Sequence, residues 1–285
     1  MADREEGTAA PRIFREPTLV RQADAQRFLW GDEESGQVAD LIYGRGERIS
    51  AVIFMLGPGH GFGASEAWKP LYDQHRFYYV VQGTLAIHDP ESGEVAVAGP
   101  GQAVTWQGAR YHFGYNVGGD DVVVLDWFAP RERLLDVPET ALAAEKRSLA
   151  EVRGGRYELL GSWPARRAET LVAGGLTTVG ADTALHLVHG SRRPLLVSIL
   201  TSSEHLTAGT FTLRGSTKSE PERHPGDEVV YAVSGRLHVH LPEGGEWFEL
   251  NPLDCLFLPE GTEHEYWSYG AETSKAVFCI APRYR

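Results

Sequence analysis

Short apolar runs recur along the chain, and within them β-branched and aromatic residues alternate with polar ones. RFYYVVQGTLAIHD (76–89) and EVVYAVSGRLHVHL (228–241) are two such runs, broken at Gly83 and Gly235. Each is followed by a turn sequence, PESGE (90–94) or PEGGE (242–246). A period of two in segments this short predicts strands, with Gly and Pro marking the turns. Many short strands with closely spaced turns predict an all-β chain with minor helices, folded as sandwiches or closed barrels. Two segments read as helix instead. PETALAAEKRSLAEVRGG (138–155) is rich in helix formers and stops at Gly154, and VRQADAQRFLW (20–30) is a weaker candidate.

The chain also repeats itself. Displaced by 152 positions, residues 70–133 fall on 222–285 without a gap: Tyr79 on Tyr231, Gly83 on Gly235, Leu85 on Leu237, His112 on His264. Both copies close on Ala-Pro-Arg, at 129–131 and 281–283. Upstream, LIYGRG (41–46) resembles LVHGSR (187–192). The chain is therefore two copies of a unit of roughly 140 residues. The expected organisation is an N-terminal barrel over 1–137, a bridging helix over 138–155 and a C-terminal barrel over 156–285.

Composition narrows the partners. A net charge of -12 repels phosphates, so neither nucleic acid nor an anionic membrane is expected. The N-terminal residues carry mixed charge without an apolar signal segment, and no long apolar run is present, so a cytoplasmic protein is expected. Cys255 and Cys279 both lie in apolar runs and are expected to be buried hydrophobes.

The chemistry concentrates in PERHPGDEVVYAVSGRL (221–237), where His224 is followed four residues on by Glu228 and seven later by Gly235. With LPEGTEHEYWS (258–268), which sets Pro259, Gly261 and His264 at Pro-x-Gly-x-x-His spacing, this stretch resembles the two motifs of the cupin superfamily. The resemblance covers both halves and implies a bicupin of two jelly-roll barrels. It says little about function, because cupins include dioxygenases, decarboxylases, isomerases, hydrolases, lyases and non-catalytic binders. Carried over, the family's metal positions are Glu222, His224, Glu228 and His264. On a continuous or gently bent strand, 222, 224 and 228 share one face.

Glu222 stands where most metal cupins have histidine. It is a fourth ligand, an acid–base group beside a three-ligand metal, or a solvated loop residue. Two imidazoles and one carboxylate suit Fe(II), and a second carboxylate favours Mn(II) or Fe(II), with Zn, Ni or Co possible. The first copy has Tyr72, Arg76 and His112 at positions matching His224, Glu228 and His264, a set that should not hold a divalent cation. Its barrel is either purely structural or an anion pocket built on Arg76. Tyr266 is a candidate catalytic or substrate-contacting residue, and Tyr231 and Phe257 are candidate substrate contacts. The family frequencies place a dioxygenase acting on a small oxygenated molecule first, ahead of a metal-dependent isomerase, lyase, decarboxylase or hydrolase and of a non-catalytic binder. A homodimer is the oligomer expected by analogy, unless the two barrels pack on each other within one chain.

Overall fold

The structure is a computed structural model and describes residues 13–46, 48–66, 71–90, 92–129 and 174–284. The helix expected over 138–155 lies outside the described residues. Each half is a seven-stranded sheet facing a four-stranded one. In the N-terminal half the large sheet runs Thr177–Val179, Ala103–Trp106, His75–Gln82, Val122–Ala129, Ser50–Leu56, Gly36–Arg45, Gln26–Asp32. In the C-terminal half it runs Thr18–Val20, Cys255–Leu258, Asp227–Ser234, Ser274–Ala281, Thr207–Leu213, Leu195–Ser202, Leu185–His189. All pairings are antiparallel.

The first strand of each of these sheets comes from the other half. Thr18–Val20, ahead of the N-terminal unit, pairs with Cys255–Phe257, and Thr177–Val179, ahead of the C-terminal unit, pairs with Ala103–Thr105. Arg21 secures the first exchange by donating to Asp254 Oδ2 at 2.8 Å and to the Glu249 carbonyl at 2.6 Å. Sheet membership thus crosses the expected boundary between the barrels.

The two large sheets face each other. On their strands, side chains alternate between two buried environments. Phe77, Tyr79, Leu125 and Trp127 meet Val229, Tyr231, Cys255 and Phe257 in one apolar core between the halves. Tyr231 stands edge-on to Tyr43, with centroids 5.1 Å apart, and packs on Trp127 at 5.5 Å. Intervening residues fill the barrels: Tyr78, Val80, Val104 and Trp106 in one, Val230, Leu256, Leu258 and Phe278 in the other. Gly235 adopts φ +68°, and a Cβ there would sit 2.3 Å from the Thr273 carbonyl. Gly83 makes the same left-handed turn in the first half, which explains why both copies keep the glycine.

Two sequence expectations are corrected here. Residues 20–30 are not a helix: Gln22–Asp24 form one 3-10 turn and Gln26–Asp32 an edge strand paired with Gly36–Ile42. Pairing and the packing of Phe28 on Ile42, Val52 and Phe128 override a weak helical propensity. LIYGRG also does not match LVHGSR, since the former belongs to the second strand of its sheet and the latter to the edge strand of its own. Short apolar alternations recur too often to fix register between strands.

Because Tyr231 belongs to a core shared by both halves, Tyr231→Ala should destabilise the chain by about 3–5 kcal/mol. Differential scanning calorimetry should show a single transition moved down as a whole. A shift of one of two separate transitions would contradict the shared core.

Candidate metal centre

Residues 221–228 do not form one continuous strand. Glu222 pairs with His264 through two backbone hydrogen bonds, Glu222 N–H to the His264 carbonyl at 2.8 Å and the reverse at 3.0 Å. The chain then turns at Pro225-Gly226 and enters the strand at Asp227. Gly226 is needed because a Cβ there would lie 2.7 Å from the Ala281 carbonyl. Gly261 N–H donates to the His224 carbonyl at 3.0 Å, which ties the Pro259–Thr262 turn to the first motif. The two motifs are thus joined by backbone before any side chain acts. Alternation from Asp227 then sends Glu228 into the barrel with Val230, and Val229 and Tyr231 out to the shared core.

His224, Glu228 and His264 converge, all buried, with one ligating atom from each within 4.8 Å of the others. Glu228 Oε2 lies 2.9 Å from His224 Nε2 and 3.2 Å from His264 Nε2. On the far side of each ring, Nδ1 faces a carbonyl: Gly226 O at 2.9 Å for His224 and Thr262 O at 3.0 Å for His264. Carbonyls and carboxylates only accept, so each Nδ1 carries the proton and each Nε2 points at the same carboxylate oxygen. Such a set is satisfied by a proton on each Nε2 or by one divalent cation in their place. His264 Nε2 is buried and makes no aligned hydrogen bond, which leaves its lone pair for a ligand. These residues fit a divalent metal.

Electrostatics agree. Burial alone would raise the Glu228 carboxyl, yet the hydrogen bonds and charge of His224 and His264 outweigh it and hold the group well below the usual range. Burial pulls the His264 imidazole down, and Glu228 and then Glu222 raise it above its ordinary value. Tyr266 donates to Glu228 Oε1 at 2.6 Å and stacks obliquely on Phe211 at 4.5 Å. Its hydroxyl is committed to orienting Glu228 and leaves one carboxylate oxygen to the histidines. Supporting a ligand in this way sets its direction.

Glu222 is beside the cluster and not in solvent. Its Oε1 lies 3.8 Å from His264 Nε2, and its Oε2 accepts from the Tyr284 hydroxyl at 2.8 Å. His189 Nδ1 is 3.7 Å from the same Oε2. The sequence reading passed over Tyr284 and His189. The signal for Tyr284 was present: the copies end Ala-Pro-Arg-Tyr-Arg and Ala-Pro-Arg-Glu-Arg, so this position differs between them as His224 and Glu228 do.

Other candidates fall elsewhere. Tyr231 and Phe257 do not line the site; both sit in the core between the halves, Phe257 against Phe14 at 4.8 Å, because their strand parity is opposite to that of Glu228. In the N-terminal barrel, Arg76 occupies the place of Glu228 but is ion-paired to Asp126 at 2.9 Å and covered by the Phe128 ring at 4.2 Å. Tyr72 lies under the same guanidinium at 5.1 Å. His112 Nε2 is 2.9 Å from the Tyr78 hydroxyl, the position from which His264 faces Glu228. Of the two readings of this barrel, the ion pair with Asp126 favours the structural one over an anion pocket, because Asp126 already meets the Arg76 charge.

Residues 209–280 match the cupin domain family. Among curated proteins, no sequence matches the chain. Oxalate decarboxylase of Bacillus subtilis, in a structure concerned with its Mn(II) centres, superposes with TM-score 0.62 at 15% identity over 98% of this chain and 79% of that one. The protein Ylba of E. coli gives TM-score 0.60 at 13% identity, covering 97% and 96%. AerE of Microcystis aeruginosa gives 0.57 at 8%, covering 90% and 97%. At these identities the likeness is one of fold, and it spans both barrels.

Anaerobic loading with Mn(II) or Fe(II), followed by metal analysis, should give about one ion per chain. Glu228→Gln and His264→Ala should each weaken binding by about a hundredfold or more, exceeding the usual effect of supporting residues. Metal content in His264→Ala equal to that of the unaltered protein would remove the centre from these residues.

Proposed function

We propose that this two-barrel cupin is a metal-dependent enzyme acting on a small oxygenated molecule, with a divalent ion held by His224, Glu228 and His264. The observation that carries this reading is the single Glu228 oxygen set between two Nε2 atoms whose rings are fixed from behind by carbonyls. Three ligands from one side leave positions open, and two imidazoles with one carboxylate suit Fe(II), with Mn(II) also accommodated. Once bound, such an ion polarises a carbonyl or carboxylate oxygen of the substrate.

Glu222 then decides the class of reaction. It lies at the edge of the cluster with one oxygen toward His264 and the other held by Tyr284. The Tyr284 hydroxyl donates to Oε2 and so fixes which oxygen faces the site. Glu222 Oε1 takes a proton from a bound substrate and returns it at a later step, the role of a positioned general base. This geometry supports proton-transfer chemistry of the lyase, decarboxylase, isomerase or hydrolase kind. The fold shared with a decarboxylase containing Mn(II) centres is consistent with it. The second reading, the dioxygenase expected from sequence, rests on the facial arrangement of two histidines and one carboxylate, which suits Fe(II) and O₂.

The test is a panel of small dicarboxylates, 2-oxo acids, enols and catechols, followed with an oxygen electrode and by product analysis. Turnover without oxygen uptake is the expected result. Oxygen consumed in step with substrate would replace the first reading with the second. Glu222→Gln should keep its metal and lose about 10²–10⁴-fold in turnover number. Loss of the metal in this variant would make Glu222 a ligand instead.

A further inference from the structure

We infer, on the basis of the metal centre proposed above, that Asp227 positions its ligands and is itself held in place by the N-terminal barrel through Gly46 and Arg48. Asp227 is buried and opens its strand, between Gly226 and Glu228. It shares the parity of Val229 and Tyr231, so its side chain turns toward the other half while Glu228 turns into the barrel. Both of its carboxylate oxygens accept. Oδ1 takes the Glu260 N–H at 3.0 Å, and Oδ2 takes the Arg48 N–H at 3.1 Å. The Arg48 guanidinium adds charge, with Nη1 3.7 Å from Asp227 Oδ1 and Nη2 ion-paired to Glu260. Gly46 completes the fit, since a Cβ there would sit 3.3 Å from Asp227 Oδ2.

These bonds hold the backing of all three ligands. The carbonyl behind His224 belongs to Gly226, the residue before Asp227. The carbonyl behind His264 belongs to Thr262, in the turn that contains Glu260 and closes with Thr262 N–H on the Pro259 carbonyl at 3.1 Å. Glu228 is the residue after Asp227. One carboxylate therefore anchors the segments that aim two imidazoles and the ligating carboxylate. Hydrogen bonds to an ionised group are the strong ones, and groups that support ligands in this way set metal affinity.

The internal repeat supplies a comparison. His75 stands 152 positions before Asp227 and likewise reaches the opposite half. Its Nδ1 lies 2.7 Å from Ser203 Oγ, in the turn that joins Leu195–Ser202 to Thr207–Leu213. That turn closes with Ser203 N–H on the Leu206 carbonyl at 2.8 Å, as the turn after Gly36–Arg45 closes with Gly46 N–H on the Ile49 carbonyl at 2.8 Å. The same position thus bridges the halves twice. The partners differ, because His75 Nε2 meets Thr105 Oγ1 at 2.8 Å, and Thr105 matches Phe257 in its strand, not a residue of the Pro259–Thr262 turn. In the half with the ligand set the bridge is a carboxylate, with one oxygen for a backbone donor from each barrel.

The experiment uses the full chain with Mn(II) as the probe. Electron paramagnetic resonance reads free Mn(II) for affinity and the spectrum of the bound ion for geometry. Asp227→Asn should weaken binding about 10–100-fold and alter the spectrum of the ion that remains bound. Gly46→Ala, in the other barrel, should press on Asp227 Oδ2 and weaken binding about tenfold, and it decides alone where Asp227→Asn does not fold. His75→Ala removes the equivalent bridge and should lower the unfolding temperature with Mn(II) affinity unchanged. Affinity unchanged in either of the first two variants, or weakened equally by His75→Ala, would overturn the positioning role and leave the centre standing. No Mn(II) bound by the unaltered chain, or equal binding by His264→Ala, would remove the centre and the positioning role together.

Discussion

The apolar contact between the two large sheets is the constraint on which the remaining structure depends. It leaves these strands with two buried faces, and strand parity decides what each face can be. The middle of this contact is apolar, where Phe77, Tyr79 and Trp127 stand opposite Val229, Tyr231 and Phe257, while polar residues of the same parity pair across the halves, His75 with Ser203 and Asp227 with the Arg48 backbone. The other set, lining the barrels, carries the charged groups of the candidate site and of its counterpart, Glu228 in one half and Arg76 and Asp126 in the other. The exchanged strands Thr18–Val20 and Thr177–Val179 extend this contact, so neither barrel completes its sheet alone.

Within that frame the two barrels solve one electrostatic problem in different ways. A charged group placed at this inward position is buried and needs a partner. In the C-terminal barrel the partners of Glu228 are two imidazoles whose outer nitrogens are held by carbonyls, an arrangement open to a cation. In the N-terminal barrel the inward group is itself a cation, Arg76, and Asp126 comes from the neighbouring strand to meet it. A histidine survives at this position in both copies, as His112 and His264, but Tyr78 meets the inner nitrogen of His112 where Glu228 faces that of His264. The same backbone thus supports a candidate metal set in one half and a closed ion pair in the other.

Glu222 and Tyr284 show how the site depends on segments outside the barrel strands. Glu222 is brought to His264 by a two-residue bridge ahead of the Gly226 turn. Tyr284 arrives from the far end of the chain, just past the strand that pairs with Asp227–Ser234. One carboxylate is therefore shared between the edge of the centre and a residue remote in sequence. The hydrogen bond fixes the orientation of the Glu222 carboxyl at that edge.

Much of this was legible in the residues. Alternation and turn chemistry specify strands, and the internal repeat specifies two barrels. Comparing the copies separates the shared glycines from His224 and Glu228, which the fold itself does not require. The odd spacing of Tyr231 from Glu228 likewise places it on the opposite face of the strand. Other features are not encoded in any local stretch. The edge strand Gln26–Asp32 forms against helical propensity because pairing with Gly36–Ile42 outweighs it. Which sheet Thr18–Val20 joins, that Asp126 holds Arg76, and that Tyr284 reaches Glu222 are long-range pairings. The sequence determined the strands and the duplication, because those rest on periodicity and self-similarity, and its resemblance to the cupin motifs supplied the ligand candidates; only the tertiary structure decided the partners, because a buried charge takes whichever group the packing brings to it.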